Sequence, residues 1–85
     1  MHKGPTQVDI SSYIYNNRAI LNTTNPNIEQ IELFNISGSN LANLRSTNWE
    51  HTDRNIEFDF PYPSGVYMMV IHTQKDIFRE KVIKP

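Results

Sequence analysis

Apolar residues recur at every second position along most of this 85-residue chain, and that period of two restricts what the chain can fold into. In residues 54–60, Ile56, Phe58 and Phe60 alternate with Glu57 and Asp59, as in a strand with one buried and one solvated face. No window keeps the i, i+3, i+4, i+7 spacing of an amphipathic helix over three turns. The alternation therefore predicts an all-β domain.

Turn signals divide the alternating pattern into about seven short strands. These strands are predicted at residues 8–15, 19–22, 28–36, 40–45, 54–60, 66–73 and 77–84. Their spacing of about ten residues predicts an immunoglobulin-like antiparallel β-sandwich, with a small barrel as the alternative. We expect residues 8–85 to form this single domain and residues 1–7 to be a disordered or vector-derived N-terminus.

Three finer expectations follow from the same pattern. The first strand is expected to alternate through Val8, Ile10, Tyr13 and Tyr15, with residues 16–18 as the turn that follows. Residues 66–73 are apolar on both faces, so this strand is expected to be central and covered on each side. The polar stretch 46–53 is expected to be the least ordered loop, with its tryptophan over a sheet edge.

Charge and composition exclude several classes of function. Eight basic and nine acidic residues give a formal net charge of -1, so there is no basic excess for a nucleic-acid partner. The absence of cysteine excludes disulfides, thiolate metal sites and thiol nucleophiles. No apolar run approaches the ~20 residues of a membrane span, and residues 1–13 have a basic start without the apolar region expected of a signal peptide. We expect no cofactor, no metal and no transmembrane segment.

Few side chains are candidates for catalysis. Glu57 and Asp59 lie two apart on one strand, a spacing that an acid/base or calcium pair uses, but the polar face of a half-buried strand accounts for them better. His51 and His72 are too far apart in sequence to form a local ligand motif. We therefore expect the domain not to be an enzyme. A carbohydrate-binding platform is a further alternative, which would use the aromatic residues Tyr13, Tyr15, Phe34, Trp49, Tyr62 and Tyr67.

Three ordered segments carry a resemblance to a known family: IEQIELFNISGSNL at 28–41, PSGVYMMVIHT at 63–73 and DIFREKVIKP at 76–85. Together they resemble the C-terminal sorting domain of cargo proteins of the type IX (Por) secretion system of Gram-negative bacteria. The resemblance covers about residues 10–85, although the Tyr-Pro-Asn-Pro opening of many members is replaced by YIYNN. The matching residues are Asn35, Gly38 and Leu41 (Asn-x-x-Gly-x-x-apolar), Gly65 and Tyr67 (Pro/Ser-Gly-x-Tyr), and Lys81, Val82, Ile83 and Lys84 (Lys-apolar-apolar-basic).

The resemblance implies a seven-stranded sandwich that serves as a secretion signal. A cargo domain would lie upstream in a longer precursor, and the type IX translocon would read the last strand. A sortase-like peptidase would then remove the domain, so the cargo would pass through the periplasm to the cell surface or the medium. The implied recognition residues are Lys81, Val82, Ile83 and Lys84, on a scaffold that includes Asn35, Gly38, Leu41, Gly65 and Tyr67.

The last strand is expected to divide its side chains between the core and the solvent. Phe78 is expected to pack inward, whereas Lys81 and Lys84 are expected to keep their charged ends in water. The alternative function is an immunoglobulin-like accessory module for cell-surface adhesion or carbohydrate binding.

Overall fold

A computed structural model describes residues 10–23, 27–52 and 55–85, which form eight strands and one short 3-10 helix, Ser46–Asn48. The strands are β1 (Ile10–Tyr15), β2 (Arg18–Thr23), β3 (Ile28–Asn35), β4 (Asn40–Leu44), β5 (Glu50–Thr52), β6 (Asn55–Asp59), β7 (Gly65–Thr73) and β8 (Ile77–Lys84). The expectations for residues 1–7 and for Val8 lie outside the described residues. Within the described part, no helix has the length and apolar character needed to cross a membrane.

The strands form two four-stranded antiparallel sheets, which confirms the predicted β-sandwich. The first sheet has the order β1-β2-β6-β5 and the second the order β4-β3-β7-β8. In the immunoglobulin-like arrangement, a sheet of strands A-B-E-D faces a sheet of strands C-F-G. Here β1-β2-β6-β5 correspond to A-B-E-D and β3-β7-β8 to C-F-G, with β4 added beside β3.

The eighth strand corrects the prediction for residues 46–53. Glu50, His51 and Thr52 pair with β6 rather than forming a loop. All three side chains are exposed, so β5 exists because the free edge of β6 offers backbone partners, a cause that side-chain patterning does not report. Trp49 packs half-buried against the core at this edge, as predicted.

The core lies between the two sheets and draws on both inner faces. In β6, Ile56 and Phe58 point inward as predicted, and Phe60 follows them into the core. In β3, Ile31 and Leu33 do the same. The other buried apolar members of the core are Ile14, Ala19, Leu21, Ile28, Tyr67, Met69, Ile71 and Val82.

The second half of β1 has the opposite phase to the one expected, whereas Ile10 packs against the core as predicted. Ile14 is buried, whereas Tyr13 and Tyr15 are 58% and 66% exposed on the outer face of the first sheet. The cause is the turn, which contains two residues rather than three: Asn16 and Asn17 have φ values of 51° and 60°. This turn sets Ile14 opposite Ala19, and the pairing carries Ile14 to the core face.

Strand β7 is central in the second sheet, as predicted, because it pairs with both β3 and β8. Its inner face is buried through Tyr67, Met69 and Ile71. Its outer face is only half-buried, so the expectation that both faces would be covered is wrong within the described chain.

Candidate functional site

Strand β8 lies at the edge of the second sheet, and its alternation divides the predicted recognition residues into two pairs. Lys81 and Ile83 are exposed on the outer face. Val82 is only 2% exposed and belongs to the core, so its side chain does not reach a partner of the folded domain. Phe78 packs against the core as predicted.

Lys84 points inward at the end of the sandwich, and this corrects the expectation that its ammonium group would lie free in water. Its Nζ donates to the carbonyl oxygens of Phe60 (3.2 Å) and Tyr62 (2.5 Å) and to Oδ1 of Asn17. Nζ also lies 5.9 Å from the centre of the Phe60 ring. Lys84 therefore ties β8 to the β1–β2 turn and to the β6–β7 connection.

A groove crosses the outer face of the second sheet; we call it the outer groove. It encloses about 780 Å³. Its floor comes from outward residues of neighbouring strands, since Phe34 of β3 pairs with Met68 of β7, and Val70 lies next along β7. Arg79 and Lys81 of β8 form one side, because they pair with Val70 and Met68.

The two sides of the outer groove differ in charge. On the β3 side, Glu32 is paired with His72, with 2.6 Å between Oε1 and Nε2. On the β8 side, neither Arg79 nor Lys81 has an ion-pair partner among the described residues. The groove thus presents an apolar floor between the Glu32–His72 pair on one side and two positive charges without ion-pair partners among the described residues on the other. The β8 side of this arrangement favours a ligand with both apolar and anionic groups.

The Asn-x-x-Gly motif forms the turn between β3 and β4. The side-chain Oδ1 of Asn35 accepts hydrogen bonds from the backbone N–H of Ser37 (3.0 Å) and Ser39 (2.9 Å). Gly38 adopts φ +88° and donates its N–H to the carbonyl oxygen of Asn35 at 2.9 Å. Leu41, the last motif position, packs half-buried against the core. The turn thus explains why asparagine and glycine occupy these positions of the motif. The same turn borders the outer groove.

The Gly-x-Tyr motif forms the entry to β7. Gly65 has φ +155°, a conformation that residues with a Cβ rarely adopt. The Tyr67 ring is buried, as predicted, and meets the Phe60 ring edge-on with centroids 4.9 Å apart. Its hydroxyl donates to the carbonyl oxygen of Pro63 at 2.5 Å, much as the conserved corner tyrosine of immunoglobulin-like domains bonds to backbone upstream.

The candidate catalytic residues occupy the outer face of the first sheet. Glu57 and Asp59 share that face as predicted, and Arg18 lies between them and Glu50. The hydrogen bond with Asp59, with help from Glu50, raises the pKa of Arg18. No cluster of His, Asp or Glu among the described residues is arranged to hold a metal ion. This face is a network of exposed ion pairs.

The outer groove has no clear signal in the sequence. The outward residues Val66, Met68 and Val70 are apolar, but that pattern also fits a strand covered on both sides. Arg79 lies beside the groove because β8 pairs with β7, and no residue near Arg79 in the sequence indicates that pairing. The candidate aromatic platform is not formed as one surface, since Tyr67 is buried and Phe34 lies on the opposite sheet from Tyr13 and Tyr15.

No protein-family model matches this chain, and comparison with curated proteins and with solved structures found no match either. The functional inference therefore depends on β8, the outer groove and the two motif turns.

Proposed function

We propose that this domain is a sorting domain of the type IX kind: a folded C-terminal signal that directs a larger cargo protein across the outer membrane. Its partners are the type IX translocon, a sortase-like peptidase that removes the domain, and the cargo domain upstream in the precursor. The domain passes through the periplasm, and the cargo ends at the cell surface or outside the cell. The domain acts by binding and carries out no catalysis.

The main support is the way β8 combines anchoring and exposure in one edge strand. Phe78, Val82 and Lys84 hold the strand from the inner side, so its position is rigid. Lys81 and Ile83 alternate with these anchors and remain on the surface. Recognition is sharpest when the contacting side chains are held by packed neighbours, and β8 meets that requirement.

The motif turns give secondary support. Gly38 and Gly65 adopt positive φ, and Tyr67 closes a corner with its hydroxyl. These are the positions at which this chain matches the family pattern, and each has a conformation or contact that requires its residue type. The turn geometry and the Tyr67 contact thus give a physical reason for the residue types on which the resemblance depends.

An export experiment tests the proposal. A reporter with a periplasmic signal peptide is fused to the domain and produced in a host with a type IX apparatus. We expect the reporter in the medium or on the cell surface. The double variant Lys81→Ala, Ile83→Ser should reduce export without lowering the melting temperature, because both side chains are exposed.

The matched control for this experiment is Lys75→Ala, in the turn between β7 and β8. It also removes an exposed positive charge, but at a position outside the outer groove, and it should be exported like the parent. A reporter that stays in the periplasm when fused to the intact domain refutes the proposal.

A second candidate function is an accessory module for adhesion or carbohydrate binding, and one observation favours it. Tyr13 and Tyr15 lie exposed on the same face of β1, beside the ion pairs of Arg18. Exposed flat rings next to polar groups suit stacking against a sugar. Under this alternative, a glycan array binds the domain, Tyr13→Ala with Tyr15→Ala abolishes that binding, and the fused reporter is not exported.

A further inference from the structure

The outer groove has more exposed apolar surface around it than folding of the domain requires. Ile36 and Ile77, which line the groove with Phe34 and Met68, are 81% and 54% exposed. Ile83, which is 60% exposed, follows Lys81 on the outer face of β8. Exposed apolar side chains gathered around a groove mark a binding surface.

The two positively charged side chains of the groove are spaced at the two-residue repeat of a strand. Arg79 and Lys81 are two residues apart on β8, so their side chains leave the same face about 6.6 Å apart. Ile77 and Ile83 precede and follow them on that face. Along β8 the outward order is thus apolar, cationic, cationic, apolar.

An extended peptide has the same repeat as β8. Two acidic side chains at alternate positions of such a peptide match the spacing of Arg79 and Lys81, and apolar residues outside them match Ile77 and Ile83. The peptide would lie over the face of the sheet rather than add to its edge, because β1 packs beside β8 there. Ser12 Oγ of β1 donates to Glu80 Oε1 at 3.5 Å.

From this complementarity we infer that the outer groove binds an extended segment of a partner protein in which two acidic residues at alternate positions lie between apolar ones. The inference rests on the proposed function in one respect: the partner is taken to be the protein that reads the sorting signal. A peptide fits better than an anionic lipid, because the two cations are separated at strand spacing with an isoleucine at each end. A lipid carries its charge at one end.

A designed peptide provides the test. The probe is Ser-Ile-Thr-Glu-Ser-Glu-Thr-Ile-Ser, whose isoleucines and glutamates share one face of an extended chain. In a titration followed by ¹⁵N NMR, we expect shift changes at the backbone amides of Val66, Met68, Val70, Arg79 and Lys81. A peptide of the same composition, Ser-Ile-Glu-Thr-Ser-Thr-Glu-Ile-Ser, moves the acids to the opposite face and should bind at least threefold more weakly. A version with lysine for glutamate should not bind.

Matched variants of the domain locate the interaction. Arg79→Glu with Lys81→Glu should weaken binding by about tenfold, in the range for losing two exposed ion pairs. Lys75→Glu makes the same kind of charge change outside the groove and should bind like the parent. Circular dichroism melts establish that each variant is folded. Raising the salt concentration from about 0.05 M to about 0.5 M should weaken binding of the acidic peptide.

Several results would overturn the inference. Equal binding of the acidic and the lysine peptides would remove the role of Arg79 and Lys81. Binding to vesicles containing anionic lipid, with no binding of the peptide, would make the ligand a membrane. Concentration-dependent shifts of groove amides without peptide, together with dimers in analytical ultracentrifugation, would make it a second copy of the chain.

The same data separate this inference from the proposed function. If the acidic peptide binds but the reporter remains in the periplasm, peptide binding by the groove stands, whereas the sorting proposal and the assignment of the partner to sorting both fail. If the reporter is exported but the peptide does not bind, the sorting proposal stands and the groove inference fails.

Discussion

Replacement of Lys84 by Met tests whether this inward side chain holds one end of the sandwich together. Methionine keeps most of the apolar stem of lysine and removes the ammonium group. The change therefore removes the donor to the carbonyl oxygens of Phe60 and Tyr62 and to the side chain of Asn17, while the packing of the stem is largely retained.

The expected loss follows from those contacts. A hydrogen bond to a charged group contributes about 1.5–3 kcal/mol, and an acceptor left without a donor costs about 1–3 kcal/mol when it is buried. Lys84 is half-buried, so water reaches some of the freed acceptors and the costs do not add in full. We expect Lys84→Met to lower the free energy of unfolding by about 2 kcal/mol. Lys81→Met, at an exposed position, should change it by less than about 0.5 kcal/mol.

Urea unfolding measures this difference, with the single tryptophan, half-buried Trp49, as the fluorescent probe. The dependence of stability on urea should be the same for both variants, so that the shift in midpoint reports stability alone. For a domain of this size, a loss of about 2 kcal/mol corresponds to a fall in melting temperature of about 10 °C. A Lys84→Met variant as stable as Lys81→Met would show that the Lys84 contacts contribute nothing to stability.

Changes at three further positions probe the motif turns and the first sheet. Tyr67→Phe removes only the bond to the carbonyl of Pro63 and should cost about 1 kcal/mol in urea unfolding, whereas Tyr67→Ala should cost ~3 kcal/mol or more; equal costs would contradict the burial of the ring. Gly65→Ala should cost about 1–3 kcal/mol because φ +155° strains the backbone of an alanine. The new Cβ adds no steric clash, since the nearest atom would lie 3.8 Å from it. Arg18→Met should lower the melting temperature slightly at low salt and not at high salt, because its ion pairs are exposed; a large drop at high salt would contradict this account.

Strands with strict alternation were predictable from local pattern. In β6 each apolar residue is flanked by charged or polar ones, and in β3 Ile31 lies between Gln30 and Glu32, so burial of Ile56 and Ile31 follows from this pattern. β1 lacked that clarity, because a tyrosine suits either face and two serines interrupt the pattern. Its phase was determined by the two-residue turn at Asn16 and Asn17, where one residue more or less reverses the buried face.

The remaining features depend on pairs of residues far apart in sequence. Lys84 and Asn17 are separated by 67 positions, and nothing near either residue indicates the contact. Glu32 and His72, 40 positions apart, meet because β3 and β7 are neighbours. The outer groove likewise requires the order of β3, β7 and β8 in the sheet, which alternation along one strand does not specify.

The alternation of inner and outer residues on β8 has a consequence for when the domain can be recognised. Arg79 and Lys81 form the side of the outer groove only after Phe78 and Val82 have packed into the core, because all four residues belong to β8. In an unfolded chain the two cations are present but the floor of Phe34 and Met68 is not beside them. A partner that requires both would pass over unfolded precursors and bind finished ones, so the surface would act as a folding checkpoint.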